Sequence, residues 1–175
     1  MASDVMWARR KVLTEVLVPW VGVVALIVGG VFGLWQYAGK LHGDRVERTM
    51  KFRDEFRTGN VAEASAKVAE TWTTRQLALA SKLRDKNTTR AVFATYVADV
   101  LQEAQSRSAL LLVSEFYDDL AVCVKEGVCD KGTAKTFFAE GARLTYNLHE
   151  GYFEEVLARQ SIQAGEGMRY IALLK

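Results

Sequence analysis

The side chains best suited to chemistry are the two cysteines, Cys123 and Cys129, which are the only ones in the 175-residue chain. They lie in Ala121-Val122-Cys123-Val124-Lys125-Glu126-Gly127-Val128-Cys129-Asp130, where a reversal at Gly127 brings their Cα atoms into disulfide range, roughly 4.4–6.8 Å. In an oxidising compartment the pair is a candidate disulfide closing a helical hairpin. In a reducing one the two are small hydrophobes facing a core. The sequence leaves both open. Metal binding is not expected, because C-x5-C lacks the C-x2–4-C spacing of zinc sites and only His42 and His149 could add nitrogen ligands. A di-iron bundle needs two Glu-x-x-His pairs, whereas Tyr146 stands three positions before His149 and no second pair exists. No histidine lies between Val16 and Tyr37 to ligate haem or chlorophyll.

The carboxylates Glu115, Asp118 and Asp119 cluster at helical spacing. Acid–base work would need a partner group and a pocket, and neither is visible, so a solvated helix face or ion pairs with a neighbouring helix is the better reading. There is no glycine-rich phosphate loop, no nucleophile elbow, and no serine or cysteine with an obvious base. Asn87-Thr88-Thr89 matches a glycosylation sequon, a short pattern of little weight. The expectation is a non-enzyme with no catalytic residues, no cofactor and no evident small-molecule substrate.

The elements that carry these residues are helical. From Val16 to Trp35 run 20 uncharged residues, VLVPWVGVVALIVGGVFGLW, about 30 Å of helix and enough to cross a bilayer. The run is too long for the 7–15-residue core of a signal peptide and ends in Trp35, Gln36 and Tyr37 rather than at a small-residue cleavage site. Trp20, Trp35 and Tyr37 sit where interface anchors belong. Gly22, Ala25, Gly29 and Gly33 share one face, and such small residues let helices approach closely in lipid. That face is expected to dock another membrane helix, either a second copy or part of a larger complex.

Beyond the span, the one proline, Pro19, is behind, and long helices are favoured. Gly39 and Gly43 offer a hinge before a charged helix over 44–57, with a break at Thr58-Gly59-Asn60. Val61, Ala64, Val68, Trp72, Leu79 and Leu83 predict one helix over 61–84. Asn87 is a candidate N-cap for a stretch over 88–126, bent near Ser106 and Ser108 and stopped by Gly127 at C′. Asp130 caps a final long helix to about Ala164, with Ala134, Phe138, Gly141, Leu148, Tyr152 and Val156 inward. Gly165 and Gly167 end it, and the apolar tail MRYIALLK docks back. The predicted fold is all-α: an N-terminal transmembrane helix followed by an antiparallel helical bundle or hairpin of long helices. Its parts are a tail over 1–15, a transmembrane helix over 16–38, a juxtamembrane helix and linker over 39–60, and a helical extramembrane domain over 61–175.

With an N-terminal membrane helix, the segment Glu115-Phe116-Tyr117-Asp118-Asp119-Leu120-Ala121 and the reversal Gly127-Val128-Cys129-Asp130 before an aromatic helix, the chain resembles an uncharacterised bacterial family of membrane-anchored helical proteins, a domain of unknown function. The resemblance covers about 110–152. It implies a helical fold and a bacterial origin and assigns no functional residue.

The 23 Lys plus Arg against 21 Asp plus Glu leave a net charge of +2, too even for a nucleic-acid surface. Arg9, Arg10 and Lys11 precede the span, and Lys40, Arg45 and Arg48 follow it, with Lys51 and Arg53 beyond. The narrow count ties and the wide count favours a cytoplasmic domain. The compact Arg-Arg-Lys cluster and the cysteine pair tip the balance slightly to the periplasm, the cytoplasm being the alternative. The functional expectation is an accessory or scaffolding subunit of a bacterial inner-membrane complex, partnered through the bilayer by a membrane complex or by self-association. The alternative is a membrane-anchored sensory or ligand-binding module working through a separate partner. Receptors of that kind pass the signal through a second membrane helix, and none follows here.

Overall fold

The computed structural model describes the backbone of residues 2–174 and the side chains of residue 23 and of residues 26–174. Helix α1 spans Ala2–Arg57, α2 Gly59–Thr73, α3 Gln76–Arg84, α4 Arg90–Glu103, α5 Arg107–Lys125, α6 Lys131–Gly151 and α7 Glu166–Ala172. A π-helical turn over Tyr152–Leu157 and a 3-10 turn over Ala158–Gln160 follow α6. No strand occurs among the described residues. The all-helical fold read from periodicity is therefore correct.

Two compact units divide the chain, residues 1–44 and 45–175. In the first, α1 runs on through Gly39 and Gly43, so the expected hinge is absent. A glycine inside a helix costs about 1 kcal/mol relative to alanine, which a long helix absorbs. Among the described residues no helix is long and apolar enough to cross a membrane. In the expected span the side chains of 16–22, 24 and 25 lie outside the described residues, and with them those of Trp20, Gly22 and Ala25. The described apolar side chains of this unit are uncovered: Leu26 is 78%, Leu34 71% and Trp35 72% exposed.

The second unit begins inside α1, earlier than the boundary expected at 61. Phe52 and Phe56 close on Phe116, and Phe56 also meets Tyr117 and Phe138, with ring centroids 5.1–6.0 Å apart. Edge and tilted contacts of this kind add to the hydrophobic gain of burying the rings. Around this cluster α2 packs on α5, α7 lies against both α5 and α6, and α4 covers α6 and the π-helical turn. Leu101, Leu110, Leu120, Leu157, Met168 and Ile171 are fully buried at the centre.

Several predicted helices are cut where chain reversals intervene. The helix expected over 61–84 is interrupted at Thr74 and Arg75; α3 buries no residue, and Leu83 is 65% exposed rather than inward. The stretch expected over 88–126 breaks at Ala104–Ser106, close to the anticipated bend, and its N-cap is Thr89 rather than Asn87: the Thr89 hydroxyl accepts the Val92 N–H. The α-helical part of the final helix ends at Gly151, but helical backbone continues through the π-helical and 3-10 turns to Gln160, close to the end expected near Ala164. Its inward face is Ala134, Phe138, Ala142, Tyr146 and His149, so Gly141 is exposed and Leu148 only half-buried.

Gly127 does end α5 as expected. It takes φ +67, while the Val128 N–H bonds the Cys123 carbonyl and the Gly127 N–H bonds that of Val124, which together make a Schellman motif. This reversal places Cys123 and Cys129 at disulfide distance, with their Cα atoms 5.1 Å apart. Asp130 then caps α6 as predicted, accepting the Thr133 N–H at 2.7 Å, and its own N–H donates to the fully buried Thr49 hydroxyl of α1 at 2.8 Å.

Candidate functional site

Helix α6 carries Tyr146 and His149 one turn apart, and the π-helical turn that follows swings Phe153 between them. The Tyr146 and Phe153 rings stack with centroids 6.2 Å apart, and His149 lies 6.2 Å behind Phe153. A π-turn adds a residue to the helical repeat, and such turns recur at functional sites. Here the wider turn presents Phe153 and Glu154 to one groove of about 540 Å³, lined also by Tyr146, Ala158, Ile162, Ala164, Glu166 and Arg169.

The lip of that groove is held by backbone bonds. Ser161 sits at φ +58 and the Ile162 N–H returns to the Leu157 carbonyl. Gly165, at φ +88, donates its N–H to the buried Ser114 hydroxyl at 2.7 Å, and a Cβ there would stand 2.8 Å from the Phe153 ring. Two residues on, the Gly167 N–H donates to Asp118 Oδ1 at 2.6 Å. A Cβ on Gly167 would strike the Asp118 backbone and stand 2.6 Å from the Tyr117 carbonyl oxygen. Only glycine permits this approach. The two glycines expected merely to stop a helix are therefore the points where α7 is clamped to α5.

The polar wall is unevenly paired. Glu154 is engaged on both oxygens, by the Arg90 guanidinium and by the Tyr146 hydroxyl, which donates at 3.2 Å. Arg90 also lies 3.7 Å from Glu150 and from Glu155. Burial, then the bond to Glu154, raises the Tyr146 hydroxyl above its ordinary range. Glu166 and Arg169, three positions apart on α7, are both exposed, and among the described residues neither makes an ion pair.

Behind the groove, His149 is only 1% exposed. Its Nδ1–H donates to the Thr145 carbonyl at 2.7 Å, and its Nε2 accepts the Trp72 indole N–H at 3.0 Å. Both ring nitrogens are satisfied only in the neutral Nδ1–H tautomer. Burial pushes the imidazole pKa down to about 4, against the smaller opposing effect of the Thr145 carbonyl. A metal would need one of these nitrogens, and both are taken.

Of the residues singled out by sequence, Cys123 and Cys129 are brought together. Glu115 and Asp119 face solvent, as a solvated helix face does, whereas Asp118 is half-buried with its pKa raised by burial despite the Gly167 N–H. Gly29 and Gly33 meet nothing within 4 Å of an added Cβ. Trp35 and Tyr37 are exposed, and Trp20, Gly22 and Ala25 lie outside the described residues. His42 belongs to the first unit and His149 to the second. No group of three or more His, Cys, Asp or Glu among the described residues is placed to hold a metal. Sequence reasoning missed the groove and the Trp72–His149 pair. No known protein family, curated protein or solved structure matches the chain.

Proposed function

We propose that this protein is a non-enzymatic accessory subunit of a bacterial inner-membrane complex, anchored by a single transmembrane helix over 16–38. The observation that carries the reading is the bare apolar segment of α1. Among the described residues Val31, Phe32, Leu34 and Trp35 are 54–72% exposed, an apolar surface of the kind that lipid or a partner helix would cover. Gly29 and Gly33 support the same reading. Their Cβ positions open onto empty space, so this chain's own packing does not require glycine there, whereas a helix docking in lipid does. The resemblance noted above is the ground for the bacterial inner membrane. The cysteine pair at disulfide distance favours a body facing an oxidising compartment.

The test is purification of the full chain in mild detergent, with identification of whatever co-purifies, for the natural sequence and for Gly29→Ile with Gly33→Ile. Recovery of partner chains or copies, reduced in the double variant as the close approach of the helices is blocked, supports the reading. A lone monomer in both overturns it, as does free solubility without detergent.

A further inference from the structure

The groove beside the π-helical turn has a chemistry of its own, independent of the anchor. Its volume of about 540 Å³ falls within the 300–1,000 Å³ of small-molecule sites. Its floor is apolar, made by Phe153, Ala158, Ile162 and Ala164. Its lip is fixed by two residues in the left-handed region and by the Gly165–Ser114 bond, and a site already formed spares a ligand the cost of ordering it. Of the charged groups on its wall, Glu154 already has both oxygens engaged, by Arg90 and by the Tyr146 hydroxyl. That leaves Arg169 and Glu166, one turn apart on α7, of opposite sign and without ion-pair partners among the described residues.

We infer that this groove binds a small zwitterion with an apolar body, of the α-amino-acid type. The carboxylate is taken by the Arg169 guanidinium, whose planar fork suits two oxygens at once. The ammonium is taken by the Glu166 carboxylate, and the apolar side chain lies on Phe153 and Ile162. The short distance between the two charges of an α-amino acid matches two side chains separated by three residues on one helix, which stand about 5–6 Å apart at Cβ. A ligand with a single charge would leave one of the two unanswered. A nucleotide would bring its phosphates against Glu166.

The experiment uses the full chain in detergent and reads the melting temperature and titration calorimetry with L-phenylalanine and L-leucine as probes. Phenethylamine, lacking the carboxylate, and hydrocinnamate, lacking the ammonium, serve as controls. The expected result is saturable binding of the amino acids with a rise in melting temperature, and at least tenfold weaker binding of both controls. Arg169→Gln should weaken the amino acids to the level of phenethylamine while leaving phenethylamine unchanged, and Glu166→Gln should do the converse for hydrocinnamate. Both residues are exposed, so the variants fold. No saturable binding at millimolar probe, or equal binding of probes and controls, overturns the inference. Co-purification of partners, read separately, is untouched by either result.

Discussion

Lowering the pH should destabilise residues 45–175 through His149, by an amount the structure sets. The neutral imidazole is buried, with Nδ1–H on the Thr145 carbonyl and Nε2 receiving the Trp72 N–H. A proton on Nε2 would place two donors head to head in an apolar setting. The folded-state pKa is therefore depressed, from 6.5 to about 4. A histidine with a depressed pKa binds protons more readily in the unfolded chain. Its stabilising effect is accordingly complete above pH 6.5, falls as pH drops from 6.5 to about 4, and is gone below that. At 1.36 kcal/mol per unit, the loss across this window is about 3 kcal/mol. Domains commonly have only 5–15 kcal/mol in hand. Urea titrations followed by tryptophan fluorescence, to which Trp72 is the one contributor from residues 45–175, at half-unit steps between pH 7.5 and 3.5, give the stability curve. His149→Gln keeps an acceptor for Trp72 and does not titrate. Carboxylates contribute to both curves, so the difference between natural protein and variant isolates the imidazole. Curves that stay parallel from pH 6.5 to 4 would refute the reasoning, as would an NMR titration giving His149 a pKa near 6.5.

Three further outcomes follow from contacts already described. Gly167→Ala forces a methyl group into the Asp118 backbone and should cost about 1–3 kcal/mol by thermal or urea melting, whereas Gly132→Ala, whose Cβ would meet only Asp130 Oδ1 at 3.4 Å, should cost far less. Replacing Cys123 and Cys129 by serine opens a short covalent loop and should lower stability by about 2 kcal/mol on chain-entropy grounds, with reductant producing the same loss in the natural protein and none in the variant. Thr49→Val removes the hydroxyl that accepts the Asp130 N–H and should cost about 1–3 kcal/mol, measured in the same melts.

What was legible in the sequence follows from how local each signal is. The apolar stripe of α2, the Gly127 stop and the Asp130 cap are written in residues within a turn of where they act, and they are found where read. The breaks were illegible for a definite reason. At the ends of α4 and of the 3-10 turn, the left-handed position is held by Gln105 and Ser161, with the same pair of returning N–H bonds seen at Gly127. The device is common; the glycine that advertises it is missing. The π-helical turn left no pattern in YFEEVL either, although Tyr152, read as inward, is buried and Val156 packs against the core. Trp72 and His149 are 77 positions apart, so nothing local could pair them. A histidine on an apolar face deserved a search for a distant donor, and an isolated tryptophan on α2 was the available signal.

The aromatic contacts of Phe52 and Phe56 decide where this protein can be trimmed. A fragment begun at Val61, where the sequence sets the boundary, would strip two phenylalanines from Phe116, Tyr117 and Phe138 and leave the Asp130 N–H without the Thr49 hydroxyl. One begun at Arg45 keeps them all. Crystallisation and labelling studies of the helical body should therefore carry the last three turns of the first helix as part of the cargo, not discard them as rope.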